Sequence, residues 1–132
     1  MPDSAIPWPD LIQYSHEHKL LAKQLYVVFS EPTNGIGPVM EHIDPHVAHQ
    51  TRLELDGTMF AAGPLATDDE RSWAGEGMFV YRASSIGEAR GFAEADPMHQ
   101  SGARTFRVRP WLLNEGTFSV RLFYSGGGPK ID

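Results

Sequence analysis

Residues 43–64, IDPHVAHQTRLELDGTMFAAGP, read as a helix that stops on a glycine and passes straight into a strand. Asp44 is placed to cap the first turn, and Pro45 suits the first helical position because its missing N–H has no partner there. The helix is expected from Pro45 to Leu55, with Val47, Thr51 and Leu55 as its apolar stripe. Gly57 follows Asp56 where the helix must end, and the chain then runs extended from Thr58 to Ala62, up to the Gly63-Pro64 breaker. The rest of the chain can be placed around this unit.

Upstream, LYVVFS (Leu25–Ser30) is rich in β-branched and aromatic residues and reads as a strand. The segment EPTNGIGP after it has the composition of a loop that turns at Asn34-Gly35. Downstream, the polar loop LATDDERSWAGE leads to a strand-like run from Gly77 to Ala83. Ser85 and Glu88 have the spacing of a capping box, so a second helix starts there, with Ile86, Ala89, Phe92 and Ala93 facing inward. It must end before Pro97. From Arg104 to Pro110, Phe106 and Val108 alternate with Arg107 and Arg109, the pattern of a half-buried strand. Phe118, Val120, Leu122 and Tyr124 alternate again and predict a further, C-terminal strand.

The order is β-α-β-β-α-β with additions at both ends. Two split βαβ units give an α+β, ferredoxin-like antiparallel sheet with both helices on one face. Apolar residues fall on both faces of its strands, so the face away from the helices is expected to pack on a second copy, as a homodimer. Residues 1–24 are read as an N-terminal extension carrying a helix from Asp10, and residues 25–132 as the ferredoxin-like domain with its C-terminal strand.

Composition narrows the function classes. The chain has 132 residues, which suits one domain with its own core, and no cysteine, which excludes disulfides, thiolate metal sites and cysteine nucleophiles. Its net charge of −6 and scattered basic residues argue against a nucleic-acid partner. Of the nearest thing to a basic cluster, Arg104, Arg107 and Arg109, the last two share a strand face and are read as solvated or salt-bridged more readily than as an anion site. No apolar run approaches the roughly 20 residues of a membrane span, and no signal peptide is apparent, so a cytoplasmic location is expected.

The residues that carry chemistry are few. His46 lies at the start of the first helix and Asp96 at the end of the second. Paired, the carboxylate would fix the imidazole tautomer and raise its basicity. Spacing alone does not establish the pair, because an Asp before Pro is commonly structural. His42, His46 and His49 would share a face on one continuous helix and suit a metal. Asp44-Pro45 argues that the helix begins after His42, and no metal is expected. Ser30, at a strand end, could orient a carbonyl or phenol but sits in no nucleophile elbow, and its bland reading is a hydroxyl satisfying a loop. Phe60, Trp73, Phe79 and Tyr81 are read either as the lining of an aromatic-sized cavity or as plain core. Gly35 and Gly37 open no strand-GxGxxG-helix unit, which excludes a nucleotide site.

The series LYVVFSEP, DPHVAHQTRLELDGTMFAAGPL, an acidic loop, GMFVYRASSIGEARGFAEADP and FRVRPW resembles the YciI-like, or YCII-related, family from about Leu25 to Trp111. The most specific pieces are His46, Gly57 with Ala62-Gly63-Pro64, Glu94-Ala95-Asp96-Pro97 and Pro110-Trp111. The resemblance implies a dimeric α+β barrel and a histidine–aspartate site between helix and sheet, matching His46 and Asp96. It also implies neighbours among dehydrochlorinases of chlorinated hydroxyquinols and lactone isomerases. The N-terminal extension and the strand after Trp111 depart from the family's compact form, which leaves the dimer mode and any pocket lid open. The expected function is therefore a small cofactor-free lyase or isomerase acting on a cyclic or aromatic carbonyl or phenolic compound. His46 and Asp96 would be catalytic, and Ser30, Phe60, Gly63, Pro64 and Tyr81 would bind the substrate. The alternative is a non-catalytic, dimeric small-molecule-binding or accessory domain.

Overall fold

A computed structural model describes residues 4–126. The chain forms two compact units, one of residues 22–113 and one made from both terminal segments.

The larger unit holds a four-stranded antiparallel sheet in the order β2-β3-β1-β4, with β1 Lys23–Pro32, β2 Met59–Pro64, β3 Gly77–Tyr81 and β4 Arg104–Leu113. This is the ferredoxin-like arrangement expected from the element order. Period-2 alternation sorts the strand residues to two faces. Tyr26, Val28, Phe79, Tyr81 and Val108 turn inward and form one core with Leu53, Ala89 and Ala93 from the helices. Leu25, Val27 and Val80 form a separate cluster on the opposite face. On that outer face Phe60, Met78 and Trp111 are each more than a third exposed and border a groove of about 500 Å³ with Val27, Phe29 and Arg109.

β2 carries a register shift between Met59 and Ala61, so Met59 pairs with Tyr81 and Ala62 with Phe79. A bulge of this kind inserts one residue without losing the ladder beyond it. Both Met59 and Ala62 thereby keep to the helix side, while Phe60 and Ala61 border the outer groove.

The helices in this unit are α2 Ile36–Glu41, α3 Ile43–Leu55, α4 Ile86–Glu94 and α5 Pro97–Gln100 (α1 belongs to the other unit). α4 follows its sequence signal closely. Ser85 Oγ accepts from Glu88 N–H at 3.1 Å, and Glu88 reaches back to Ser84 N–H, one residue earlier than the standard box. Its inward stripe includes the fully buried Ala89 and Ala93. α3 departs from expectation in two ways. α2, which was read as loop, runs into it through His42, so Asp44 lies within the first turn and makes no cap. Its buried residues are His46, His49 and Leu53, whereas Val47 and Leu55 are 52% and 84% exposed. The Val47–Thr51–Leu55 stripe is thus not the buried one, and the helix turns a partly polar face to the sheet. Gly57, at φ +85°, ends the chain's helical run as predicted.

In the terminal unit, α1 spans Trp8–Glu17, starting two residues before the expected Asp10, and the chain leaves the helix before Lys19, which adopts φ +61°. Ser15 is fully buried, its Oγ accepting from Asn114 Nδ2 at 3.0 Å, and Leu21 N–H donates to Asn114 O at 3.1 Å. The expected C-terminal strand does not form. Residues 114–126 contain no strand, and Phe118, Val120, Leu122 and Tyr124 are all more than half exposed. Alternation supplies a face to bury, but a strand also needs a neighbour to complete its hydrogen bonds, and this segment pairs with none.

Candidate functional site

His46 and Asp96 meet. The first turn of α3 carries His46 toward the sheet, and Asp96 caps α5, its Oδ1 accepting from Met98 N–H at 2.9 Å. Pro97 at the first helical position helps set this sharp restart between α4 and α5. The fully buried Asp96 carboxylate accepts from His46 Nδ1 at 2.9 Å through Oδ1 and 2.8 Å through Oδ2. Burial works to raise its pKa, but the hydrogen bond and charge of His46, helped by Met98 N–H and His99, outweigh it, and the carboxyl lies below its ordinary value. An ionised carboxylate only accepts, so the proton on the Asp96 side of the ring resides on Nδ1, and when the ring carries one proton its lone pair is on Nε2.

His46 lines a cleft of about 210 Å³ between α3 and the β2–β3 side of the sheet. Ile43, Val47 and Gln50 close it from the helix, Ala62, Gly63 and Pro64 from β2, and Phe79 from beneath, while Trp73 and Arg104 complete the wall. Phe79 packs 5.5 Å from the His46 ring, centroid to centroid. An apolar cavity of about 150 Å³ accommodates benzene, so this space suits a single substituted ring.

Of the other expected binding residues, Gly63 and Pro64 border the cleft and the remaining three do not. Ser30 is buried and its hydroxyl pairs with His99 Nε2 at 2.6 Å. Since Ala93 O takes the Nδ1 proton of His99 at 2.7 Å, Ser30 is the donor to Nε2. Burial depresses the His99 pKa against the Ala93 hydrogen bond and the Asp96 charge, which favours the neutral ring. Phe60 borders the outer groove, carried there by the bulge. Tyr81 is fully buried behind Phe79, and burial together with Asp96 pushes its phenol well above its usual pKa. Phe79 and Trp73 are the two aromatic residues that do line the cleft.

The three histidines considered for a metal diverge. His42 Nδ1 donates to Pro38 O at 2.8 Å, and His49 Nε2 lies 3.3 Å from Phe92 O. No group of three His, Asp or Glu side chains among the described residues is arranged to hold a metal.

Two polar residues of the cleft, Gln50 and Arg104, have no place in the site expected from sequence, where Arg104 stands only as part of a scattered basic group. Gln50 stands one turn along α3 from His46, on the same face. Arg104 begins β4 in register with Phe106 and Val108, so strand parity alone directs this cation inward. It is only 3% exposed, and its Nε donates to Gly75 O at 2.7 Å. Burial lowers the Arg104 pKa, and the Asp96 charge works in the opposite direction.

Comparison with known proteins follows the same lines. No curated protein matches the chain significantly. A solved structure, 5-chloro-2-hydroxyhydroquinone dehydrochlorinase from Burkholderia phenoliruptrix in complex with 2,5-dihydroxybenzoquinone, is 24% identical with a TM-score of 0.51. The alignment covers 66% of this chain and 92% of that one, and it supports the fold. No helix among the described residues is long and apolar enough to cross a membrane. The model of the YCII-related domain matches residues 24–112, two strand ends and everything between them, and the chain belongs to that family.

Proposed function

We propose that the chain is a small enzyme of lyase or isomerase type that moves a proton in a single-ring carbonyl or phenolic compound. The observation that carries this reading is the buried His46–Asp96 hydrogen bond behind a ring that lines an open cleft, its Nε2 without a hydrogen-bond partner among the described residues. Asp96 holds the imidazole with Nε2 as the basic atom and stabilises the imidazolium once a proton arrives. Nε2 takes a proton from a carbon next to the carbonyl or from a ring hydroxyl, leaving an enolate or phenolate. Return of that proton to a different carbon is isomerisation. Departure of a leaving group with its electron pair, chloride for example, is elimination, with the proton retained on His46 until solvent collects it. The dehydrochlorination named for the solved relative is one reaction of this class, and the apolar, ring-sized cleft fits the substrate type.

The test is turnover of a panel of chlorinated hydroxyquinols, hydroxyquinols and lactones by the wild-type protein and by His46→Ala. Loss of a general base costs about 10²–10⁴ in rate. A His46→Ala protein with wild-type turnover on a compound that the wild type converts would refute the assignment.

We further propose that the chain works as a homodimer joined through the outer sheet face. The exposed Phe60, Met78 and Trp111 around an apolar groove support this, because a patch of this kind marks an interaction site. Light scattering of the wild type and of Trp111→Asp should read a dimer and a monomer; a monomeric wild type overturns it.

A further inference from the structure

Arg104 presents a problem that the proton-transfer chemistry does not solve. Its Nη1 is buried and has no hydrogen-bond partner, and the residue forms no ion pair among the described residues. A buried cation without a counter-charge is costly, and the nearby Asp96 carboxylate is already committed to His46 and to Met98 N–H. The fold nevertheless makes room for it. Gly77 carries no side chain where a Cβ would stand 3.4 Å from Arg104 Nη1, and the Gly75 carbonyl fixes Nε. The side chain thus reaches from β4 to the start of β3 and borders the His46 cleft. Across the same cleft, the Gln50 side-chain nitrogen and oxygen are also buried and unpartnered.

We propose that the cleft binds an anion: a single-ring compound whose negatively charged oxygen is received by Arg104 Nη1, with Gln50 donating a second hydrogen bond. This rests on the proton-transfer reading for the ring's place beside His46, and it adds that the substrate is charged. The oxygen is either a carboxylate on the ring or a ring oxyanion, and both satisfy the same donors. A guanidinium is the side chain best matched to such an oxygen, and removing a charge-assisted hydrogen bond costs about tenfold to a hundredfold in affinity. Where the oxygen is the ring oxyanion formed on proton removal, Arg104 would also hold the negative charge as it develops.

The experiment measures binding, so it does not depend on turnover. The full chain is titrated by calorimetry with 3,4-dihydroxybenzoate, its neutral methyl ester, and 2,5-dihydroxybenzoquinone, whose acidic ring hydroxyls supply an oxyanion without a carboxylate. At least one anion should bind, and at least about tenfold more tightly than the ester. Which of the two anions binds distinguishes carboxylate from ring oxyanion. Arg104→Met should abolish the preference and Gln50→Leu should reduce it. Because Arg104→Met could fail to fold, the Arg104 Nε–H resonance of the wild type is followed by NMR as well; it should shift with the anion and not with the ester. Equal binding of anion and ester, no anion binding, or an unmoved Arg104 resonance overturns the proposal. Charge-selective binding by a protein that turns nothing over would leave this inference standing and remove the enzymatic one.

Discussion

Replacing Asp96 by Asn tests whether the buried carboxylate sets the chemistry of His46. Asn keeps the size of the side chain and remains a good N-cap, so the bond from Met98 N–H and the start of α5 should survive. What changes is the partner of His46. The two carboxylate oxygens at 2.8 and 2.9 Å from Nδ1 become one oxygen and one NH2 group. With Oδ1 kept on Met98 N–H, the amide nitrogen faces Nδ1, and the ring satisfies it only by accepting there. The proton then moves to Nε2, and the atom facing the cleft is no longer a base. Two magnitudes follow. Losing a hydrogen bond to a charged group at a fully buried position costs about 1.5–3 kcal/mol of stability, and losing the general base costs about 10²–10⁴ in turnover. Urea denaturation at neutral pH reads the first and a substrate assay the second. Nitrogen-15 chemical shifts of the His46 ring report the tautomer directly. If Asp96→Asn keeps wild-type turnover and the proton stays on Nδ1, the reasoning fails, since the carboxylate would not be what determines the base.

Other outcomes follow from the same geometry. His99 has its pKa depressed by burial, with Asp96, Arg104 and His46 as its charged neighbours, so the unfolded chain binds a proton more readily than the folded one. That contribution to stability is complete above the ordinary value of about 6.5 and is lost as pH falls toward the folded value; a flat urea midpoint from pH 8 to 5 would count against it. Asp96 is depressed as well, so its contribution holds above the unfolded carboxyl value and is lost only at lower pH, as acid denaturation should show in the wild type but less in Asp96→Asn. Gly75→Ala places a Cβ 2.8 Å from Pro32 Cγ at φ +102°, which should cost at least about 1–3 kcal/mol in urea melts and loosen the carbonyl that holds Arg104. Ser85→Ala removes the cap on α4 and should cost about 1 kcal/mol in the same assay, with the cleft's ligand binding unchanged.

The fold was legible because its signals are local. A glycine that stops α3, a capping box before α4 and alternating strands each announce themselves within a few residues, and their order leaves few topologies. α3's buried side was misread because apolar residues were assumed to face inward. Here the helix turns His46 and Gln50 toward a cleft, keeps Val47 only half-buried at its edge and leaves Leu55 exposed, an arrangement that no hydropathy pattern signals. The His46–Asp96 contact joins residues 50 positions apart, and it entered through family resemblance after spacing alone had left it open. Arg104 shows the opposite case. Its parity with Phe106 and Val108 was plain in the sequence, but only the sheet shows that this strand end opens onto Gly77 and an open space. Ser30 was tied to a pocket because strand ends often border one, yet its partner is His99, a residue without a motif.

The bulge in β2 decides how freely the two faces of the sheet can vary. Since Phe60 and Ala61 together fill the one place opposite Val80, either can be lost without rotating Ala62, Gly63 and Pro64 away from the cleft. A single deletion between residues 62 and 64 has no such protection. It would shift the phase of the strand end by one and send the cleft's edge to the opposite face. Length changes in relatives of this chain should therefore gather at positions 60 and 61 and avoid the three residues after them, where the spacing of the backbone matters more than the side chains it carries.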